Sequence, residues 1–390
     1  MNKHSVETAL LQEVTELRAT LDASRRDACG DMSMMDAANA AEIGILTNVP
    51  SLSVVHNMRA HTGRIRTCTW SASDESLISV GADNFICIWD VRSGLIRNII
   101  DITMNQATAA DCTPDLSIVF AGGLYANVEA FSHQPRPPED GYSEYVSSAV
   151  FEHGGRINSI SYLEGHKLLT AASVDGAVMW DINNVRILNK CPHSTDVCAL
   201  MPLSPDGQTF VTGAADGVPR IWDLRLSKPL TCSMYGHESE ITCIEKHTSE
   251  HVFVTGSDDA VVNLYDLRLD FPLGSYNRAD GRSTAGDEAN SAGNKYMSPA
   301  IGGEEDDQAS GEDASTTGIT GVGVSTSGRL IISGSRNGCI YIWDIFDLMS
   351  PVAVHKEHGP VMALKMAHNK KGLAIITWGA TTQLQLVCPN

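Results

Sequence analysis

The first part of the chain shows a helical spacing of apolar residues. Between Ser5 and Ala28 there is no glycine or proline, and apolar residues recur at intervals of four, three and four. They are Leu10, Val14, Leu17 and Leu21. This spacing aligns them in one stripe and predicts a coiled-coil seam. Because a helix of about 20 residues is marginal alone in water, we expect it to pair with a helical partner. The alternative is an amphipathic helix lying on its own domain.

The pattern changes twice after the seam. Gly30 predicts the end of the helix, and residues 31–50, rich in Met and small residues, predict a connector. Beyond residue 50 the helical spacing gives way to short β-branched runs separated by Gly, Asp, Asn and Ser. We therefore predict a coiled-coil helix over 1–30, a connector over 31–50 and an all-β domain over 51–390.

The all-β part contains a repeat of about 43 residues. A Trp-Asp pair, or its variant Tyr-Asp, ends five of the units, and a decayed Phe-Ser pair at residue 131 ends another. A histidine stands 27 to 29 residues before four of these pairs, and a Ser or Thr stands ten residues before five. The aromatic residues are Trp89, Trp180, Trp222, Tyr265 and Trp343, and the histidines are His61, His153, His193 and His237. This is the WD-repeat pattern. It predicts a seven-bladed β-propeller whose last blade is completed by a strand at residues 52–56.

The recurring polar residues are expected to serve the structure of each blade. An Asp in a tight turn, a His, a hydroxyl and an indole N–H can satisfy one another's hydrogen bonds inside an apolar sheet. Each set recurs in its own blade, so three sets cannot converge on a hydrolytic triad or a metal site. The chain also lacks a Gly-rich phosphate loop, a Gly-x-Ser-x-Gly elbow and a His-Glu-x-x-His motif. We expect no enzyme activity, no cofactor and no metal.

Charge and cysteine usage narrow the functional classes further. Lys and Arg number 28 against 47 Asp and Glu, a net charge of −19, which argues against a nucleic-acid or anionic-membrane binder. The ten cysteines occur singly, without a Cys-x-x-Cys pair, as expected of reduced thiols in a cytoplasmic protein. We see no signal core and no apolar stretch of about 18 residues. Any membrane attachment is expected to come through a lipidated partner.

One interval between repeats is too long for a single blade. Residues from about 278 to 317 are rich in Gly, Ser, Ala, Asp and Glu, with nine acidic residues against three basic ones. Few of them are apolar enough to bury, so this insertion is predicted to be disordered. It is either a solvated insertion or a regulatory or docking segment.

The combination of a helical seam with these repeats resembles the β subunit of heterotrimeric G proteins. Arg25-Arg26-Asp27-Ala28-Cys29 is similar to the end of that family's γ-binding helix. The fifth-blade motifs are Gly-His-Glu-Ser-Glu-Ile at 236–241, Thr-Gly-Ser-Asp-Asp-Ala at 255–260 and Tyr-Asp-Leu-Arg at 265–268. Ala-Gly-Gly-Leu at 121–124 matches the second blade.

The resemblance implies partners and a contact surface. In that family the helix pairs with a small γ chain, and loops at one end of the propeller bind a GDP-loaded α subunit or downstream effectors. The implied surface residues here are Arg64, Leu124, Asp196, Glu240 and Asp258. Where the family presents aromatics and methionines, this chain has Arg66, Gln106, Thr108, Arg156 and Cys198. We expect a partner recognised by charge more than by apolar area.

Two functional hypotheses follow. The favoured one is a G protein β subunit, because it explains why a helical seam directly precedes the repeats. The alternative is a WD-repeat scaffold that oligomerises through its coiled coil and binds no α subunit; the altered contact residues favour it.

Overall fold

The computed structural model describes residues 52–102, 106–134, 144–277, 318–347, 350–357, 359–369, 372–377 and 383–389. These residues form 28 β-strands in seven four-stranded antiparallel sheets. The predicted helix and connector (1–50) and the acidic insertion (278–317) lie outside the described residues and stay predictions. Within the described ranges no helix is long and apolar enough to cross a bilayer.

Six of the sheets are built from consecutive strands, and we number them along the chain. Sheet 1 contains β2 (Ile65–Trp70), β3 (Ser76–Gly81), β4 (Phe85–Asp90) and β5 (Ile96–Asp101). Sheet 2 contains β6 (Ala107–Cys112), β7 (Ile118–Gly123), β8 (Asn127–Gln134) and β9 (Glu144–Glu152). Sheet 3 contains β10 (Ile157–Leu163), β11 (Lys167–Ala172), β12 (Gly176–Asp181) and β13 (Arg186–Cys191).

The next three sheets repeat this order. Sheet 4 contains β14 (Val197–Pro202), β15 (Thr209–Ala214), β16 (Arg220–Asp223) and β17 (Leu230–Ser233). Sheet 5 contains β18 (Ile241–Lys246), β19 (Val252–Ser257), β20 (Val261–Asp266) and β21 (Pro272–Asn277). Sheet 6 contains β22 (Ile319–Val324), β23 (Leu330–Ser335), β24 (Cys339–Asp344) and β25 (Ala353–Lys356).

The seventh sheet joins the two ends of the all-β part. It contains β26 (Val361–Met366), β27 (Leu373–Thr377), β28 (Gln383–Pro389) and β1 (Leu52–Met58). Strand β1 pairs antiparallel with β28, from Leu52 opposite Pro389 to Met58 opposite Leu384. The strand predicted at residues 52–56 is thus present, and it completes the sheet that holds the last three strands.

The apolar core lies between the sheets. Each of seven buried clusters joins two neighbouring sheets in the order 1 to 7, and the cluster around Trp70 and Ile376 joins sheet 7 back to sheet 1. The first strand of each sheet contacts the first strand of the next, including β26 with β2. The sheets therefore form a closed ring with β2, β6, β10, β14, β18, β22 and β26 innermost. The middle strands are buried on both faces, mostly by apolar residues, with single buried polar side chains such as Ser79 and Thr255 among them.

Tight turns link the second and third strands of the sheets. In sheet 4, Gly217 has φ +73°, and a Cβ there would lie 2.8 Å from the carbonyl oxygens of His237 and Ser239. Only glycine fits this close approach between sheets without strain.

A polar clasp closes the ring between sheets 7 and 1. The indole of Trp70 donates to the carbonyl of Lys365 (3.1 Å), and the backbone N–H groups of His368 and Asn369 donate to the two carboxylate oxygens of Asp74 (2.8 Å each). The His368 Nδ1 also lies 3.1 Å from that carboxylate, whose side chain is only 8% exposed. These partners are nearly 300 residues apart in the chain, so no local sequence pattern predicts the clasp.

Candidate functional site

The predicted hydrogen-bond chain is present in sheet 1. The Trp89 indole donates to Ser79 (2.8 Å), Ser79 lies 2.8 Å from His61 Nε2, and His61 Nδ1 donates to Asp83 (3.0 Å). Burial by itself would raise the pKa of the Asp83 carboxyl, but hydrogen bonds from His61 and from the Thr62 backbone lower it overall. In sheet 5, His237 bonds to Asp259 (2.9 Å) and Thr255 (2.7 Å) in the same way. These side chains therefore hydrogen-bond to one another within the sheets and have a structural role.

Two sheets depart from the chain at the Asp. In sheet 4, His193 Nδ1 donates to the Cys191 carbonyl (3.0 Å). The Asp216 carboxylate instead accepts a hydrogen bond from the Arg220 guanidinium (3.1 Å). In sheet 3 the Asp is displaced by one position, so Asp175 pairs with Lys190 and stands 3.9 Å from His153 Nδ1, which has no hydrogen bond. Burial lowers the pKa of both His153 and His193 to about 4.

The aromatic end of the chain also varies. Trp180, Trp222 and Trp343 each donate to the Ser or Thr ten residues earlier, at 3.3, 2.9 and 2.9 Å. Tyr265 does not: its hydroxyl lies 3.2 Å from the Asn263 amide, and its ring stacks on Phe253. A Tyr hydroxyl cannot reproduce the position of an indole N–H, so the hydrogen-bond chain in sheet 5 ends at Thr255.

The five residues implied as a partner surface lie at one end of the ring, which we call the loop end. Arg64, Asp196 and Glu240 directly precede the innermost strands of sheets 1, 4 and 5, whereas Leu124 and Asp258 lie in turns between second and third strands. In an antiparallel sheet the start of the first strand and the turn after the second strand lie at the same end of the sheet. Backbone hydrogen bonds show it: Ala82 N–H donates to the Arg64 carbonyl (2.7 Å), and Asp258 N–H to that of Glu240 (3.0 Å).

The environments of the implied acidic residues differ. Asp196 is exposed. Glu240 is half-buried beside Cys198. The pKa of the Cys198 thiol is raised far above its usual value, mainly by burial and secondly by the nearby Glu240 carboxylate. Asp258 is 25% exposed and forms an ion pair with Arg336 (2.8 Å), a residue that sequence reasoning did not include. Of the three acids, Asp196 is therefore the most accessible to a partner.

Several residues that replace the family's aromatics connect the sheets to one another. Arg66 donates to Gln106 (3.3 Å) and so links sheets 1 and 2. Thr108 donates to the carbonyl of Ile157, linking sheets 2 and 3. The second residue of other innermost strands does the same, from Asn158 to Val197 (2.7 Å), from Thr242 to Ile319 and from Thr320 to Val361 (2.7 Å). Arg66 and Thr108 thus stabilise the ring by linking neighbouring sheets. Arg64 and Arg156 are exposed, whereas Arg66 is half-buried.

A cavity of about 290 Å³ lies on the ring axis. It is lined by all seven innermost strands, mostly by small and hydroxyl residues such as Thr67, Ser159, Ala199 and Gly321, with Arg66 and Arg336 among the lining residues. Among the described residues no group of three His, Cys, Asp or Glu side chains is placed to hold a metal ion.

Comparison with known proteins agrees with this architecture. The family model described as "WD domain, G-beta repeat" matches four segments: residues 52–90, 185–223, 228–266 and 310–344. These four segments are therefore WD repeats. Sheets 2, 3 and 7 lie mostly outside the matched segments, which include only β13 of sheet 3 and β1 of sheet 7, yet each of them also has four antiparallel strands. In one of them Phe131, buried and packed between sheets 1 and 2, replaces the usual Trp.

Proteins similar in sequence to this chain include named G protein β subunits. A guanine nucleotide-binding protein subunit beta from Zea mays is 23% identical over 96% of this chain and 93% of its own length. The subunit beta-2 from Nicotiana tabacum is 23% identical over 96% and 94%, and the subunit beta from Saccharomyces cerevisiae is 26% identical over 60% and 56%. The predicted resemblance is confirmed, as that of a divergent relative, and so is the prediction of an all-β WD-repeat propeller. Together the repeats and these relatives indicate a role in signalling through protein interaction.

Proposed function

We propose that this WD-repeat protein is a non-catalytic signalling subunit of the G protein β type, with a seven-bladed propeller after a coiled-coil helix. Its seam of Leu10, Val14, Leu17 and Leu21 pairs with a small γ-type helical chain. Its loop end binds a GDP-loaded α subunit or effectors. A lipidated partner holds it at the cytoplasmic face of a membrane.

One observation carries the proposal: residues from four different sheets meet at the loop end. Arg64, Leu124, Asp196 and Glu240 are spread over nearly 180 residues of sequence, and rigid sheets bring them to one edge of the ring. A surface assembled in this way can contact a partner protein over a broad area. The alignments with the maize and tobacco relatives also cover nearly the whole chain, which supports an N-terminal helix of the same kind.

The first experiment tests the γ-type partner by co-purification from the native cell. Leu17→Asp places a carboxylate in the apolar seam, which costs several kcal/mol, and should abolish co-purification of a small helical chain. The matched control is Ala19→Asp, which lies on the opposite side of the same predicted helix. If Leu17→Asp retains as much partner as the control, the seam does not bind it.

The second experiment tests the α subunit with the GDP-loaded protein in a pull-down. Asp196→Lys combined with Glu240→Lys reverses two charges at the loop end and should abolish retention. We choose Glu240 instead of Asp258 because Asp258 is already engaged by Arg336. Asp206→Lys is the matched control, since Asp206 is an exposed carboxylate in the turn after β14, at the opposite end of the ring. Retention should fall as salt rises, because screening shortens from about 10 Å at 0.1 M to about 3 Å at 1 M.

The scaffold alternative has an observation in its favour. Positions that carry apolar anchors in the family here hold sheet-linking polar groups, such as Arg66 and Thr108. Because a scaffold of this kind does not bind an α subunit, the charge-reversed variant and the control would retain the same amount of it in the pull-down. It would also form a homo-oligomer in light scattering that Leu17→Asp dissociates.

A further inference from the structure

The inner rim of the loop end is divided by charge. Two positions of each sheet form this rim: the residue just before the innermost strand and the second residue of that strand. In sheets 1 to 3 these positions hold Arg64 and Arg66, Gln106 and Thr108, and Arg156 and Asn158. In sheets 4 and 5 they hold Asp196 and Cys198, and Glu240 and Thr242. The rim therefore carries arginines in sheets 1 and 3, neutral side chains in sheet 2, and one acid in each of sheets 4 and 5.

The acids nearest to the basic half are already engaged or lie at its outer edge. Asp83 in the turn beside Arg64 bonds to His61 and is 8% exposed, and Asp175 in the turn beside Arg156 pairs with Lys190. Asp101 and Glu152 end the outermost strands β5 and β9, away from the axis. Among the rim positions of sheets 1 to 3, the exposed charged side chains are those of Arg64 and Arg156.

Exposed apolar side chains stand directly outside this basic rim. Phe85 opens β4 and is 39% exposed, Leu124 and Tyr125 occupy the turn of sheet 2 at 44% and 68%, and Val174 occupies the turn of sheet 3 at 69%. Sequence reasoning identified only Leu124. Exposed apolar side chains in the turns of three neighbouring sheets favour an interaction surface at this end of the ring.

Hydrogen bonds hold the arginines and the apolar turns side by side. Ala82 N–H bonds to the Arg64 carbonyl just before Phe85, and Ser173 N–H bonds to the Arg156 carbonyl (2.9 Å) just before Val174. Leu124 N–H bonds to the Gln106 carbonyl (3.3 Å). The first strands of sheets 1, 2 and 3 contact one another in order. In sheets 1 and 3 an arginine therefore lies toward the axis and an apolar turn lies outside it, and sheet 2 places Leu124 and Tyr125 between them.

From this arrangement we propose that sheets 1 to 3 bind an acidic amphipathic segment of a partner protein, and we call this surface the basic apolar patch (Arg64, Arg156, Phe85, Leu124, Tyr125, Val174). The segment presents carboxylates to the two arginines and apolar side chains to the outer turns. Tyr125 is the main anchor, since Tyr and Arg carry most of the binding energy in protein interfaces. The inference deepens the proposed function by naming the chemistry of one partner element.

The test uses the full-length chain and two synthetic probes. One is an 18-residue helical peptide with a Leu face and a Glu face; the other is identical except that every Glu is replaced by Lys. The Glu peptide should bind at least tenfold more tightly by fluorescence anisotropy. Arg64→Glu with Arg156→Glu should reverse this preference, and Tyr125→Ala should weaken Glu-peptide binding about tenfold. Asp206→Lys, at the opposite end of the ring, should change neither affinity.

Three results would overturn the inference. The Lys peptide could bind as tightly as the Glu peptide, or Tyr125→Ala could leave the affinity unchanged while its circular dichroism and melting temperature match the parent chain. Alternatively, deletion of residues 280–313 could raise Glu-peptide affinity tenfold, in which case the patch is occupied by this chain's own acidic segment. The α-subunit pull-down with the Asp196→Lys and Glu240→Lys variant tests only the acidic side of the rim, in sheets 4 and 5. The two proposals can therefore fail separately.

Discussion

The clasp at Asp74 predicts that one carboxylate oxygen contributes measurably to ring closure. Asp74→Asn keeps the size of the side chain and tolerates the left-handed backbone at this position (φ +58°). It leaves a single acceptor oxygen for the two backbone N–H groups of His368 and Asn369, and it turns an amide NH₂ toward the other. A hydrogen bond to a charged group contributes about 1.5–3 kcal/mol. Because the carboxylate is 8% exposed, water cannot fully replace it, and we expect a loss of about 2 kcal/mol.

Urea unfolding followed by tryptophan fluorescence measures this loss. The signal suits the question because Trp70 lies buried at the same junction. Asp206→Asn is the matched control: its carboxylate bonds to the backbone of Gln208 and to the side chain of Ser204, each two residues away, and it lies exposed in the corresponding turn of sheet 4. We expect the control to cost less than about 0.5 kcal/mol, as surface substitutions usually do. If the two variants unfold with the same free energy, the clasp does not stabilise closure and the reasoning is wrong.

Three further predictions concern stability. Trp222→Ala should lower the free energy of unfolding by about 3–5 kcal/mol, because it empties a buried site between sheets 3 and 4, whereas Trp222→Phe should cost less; chemical denaturation distinguishes them. His153 and His193 have pKa values lowered from the usual 6.5 to about 4, so the unfolded chain binds protons first and the free energy of unfolding should fall as pH drops from about 6.5 to 4. Replacing both histidines with Gln should flatten that slope in pH-dependent urea titrations, and an unchanged slope would assign it to other groups. Deleting residues 280–313 should shift the melting temperature by no more than a few degrees in calorimetry; a collapse would show that the segment packs.

Local patterns in the sequence predicted the repeating architecture well. The spacing from His61 to Trp89 spans the first three strands of sheet 1, and the hydrogen bonds from Trp89 to Ser79 and from Ser79 to His61 follow from it. The strand at residues 52–56 was also predictable, because the last repeat lacks one strand and an unassigned apolar run precedes the first. The hydrogen-bond chain joins residues within about 45 positions of one another, so the periodic sequence predicts it, whereas the strand at residues 52–56 follows from the number of strands that each repeat needs.

Other features depend on contacts between distant parts of the chain. Asp74 binds His368 only because the ring closes, and Asp258 is engaged by Arg336 only because sheets 5 and 6 are neighbours. The exposure of Tyr125 likewise depends on what surrounds its turn.

The sequence by itself therefore determined the repeat, the all-β class and the resemblance to G protein β subunits, since these depend on spacing and residue type. Only the tertiary structure decided which polar residues link neighbouring sheets, as Arg66 and Thr108 do, and which remain exposed at the loop end, as Arg64 and Arg156 do. The physical reason is that a side chain's role at an interface depends on the atoms opposite it, and in a ring of sheets those atoms come from another repeat.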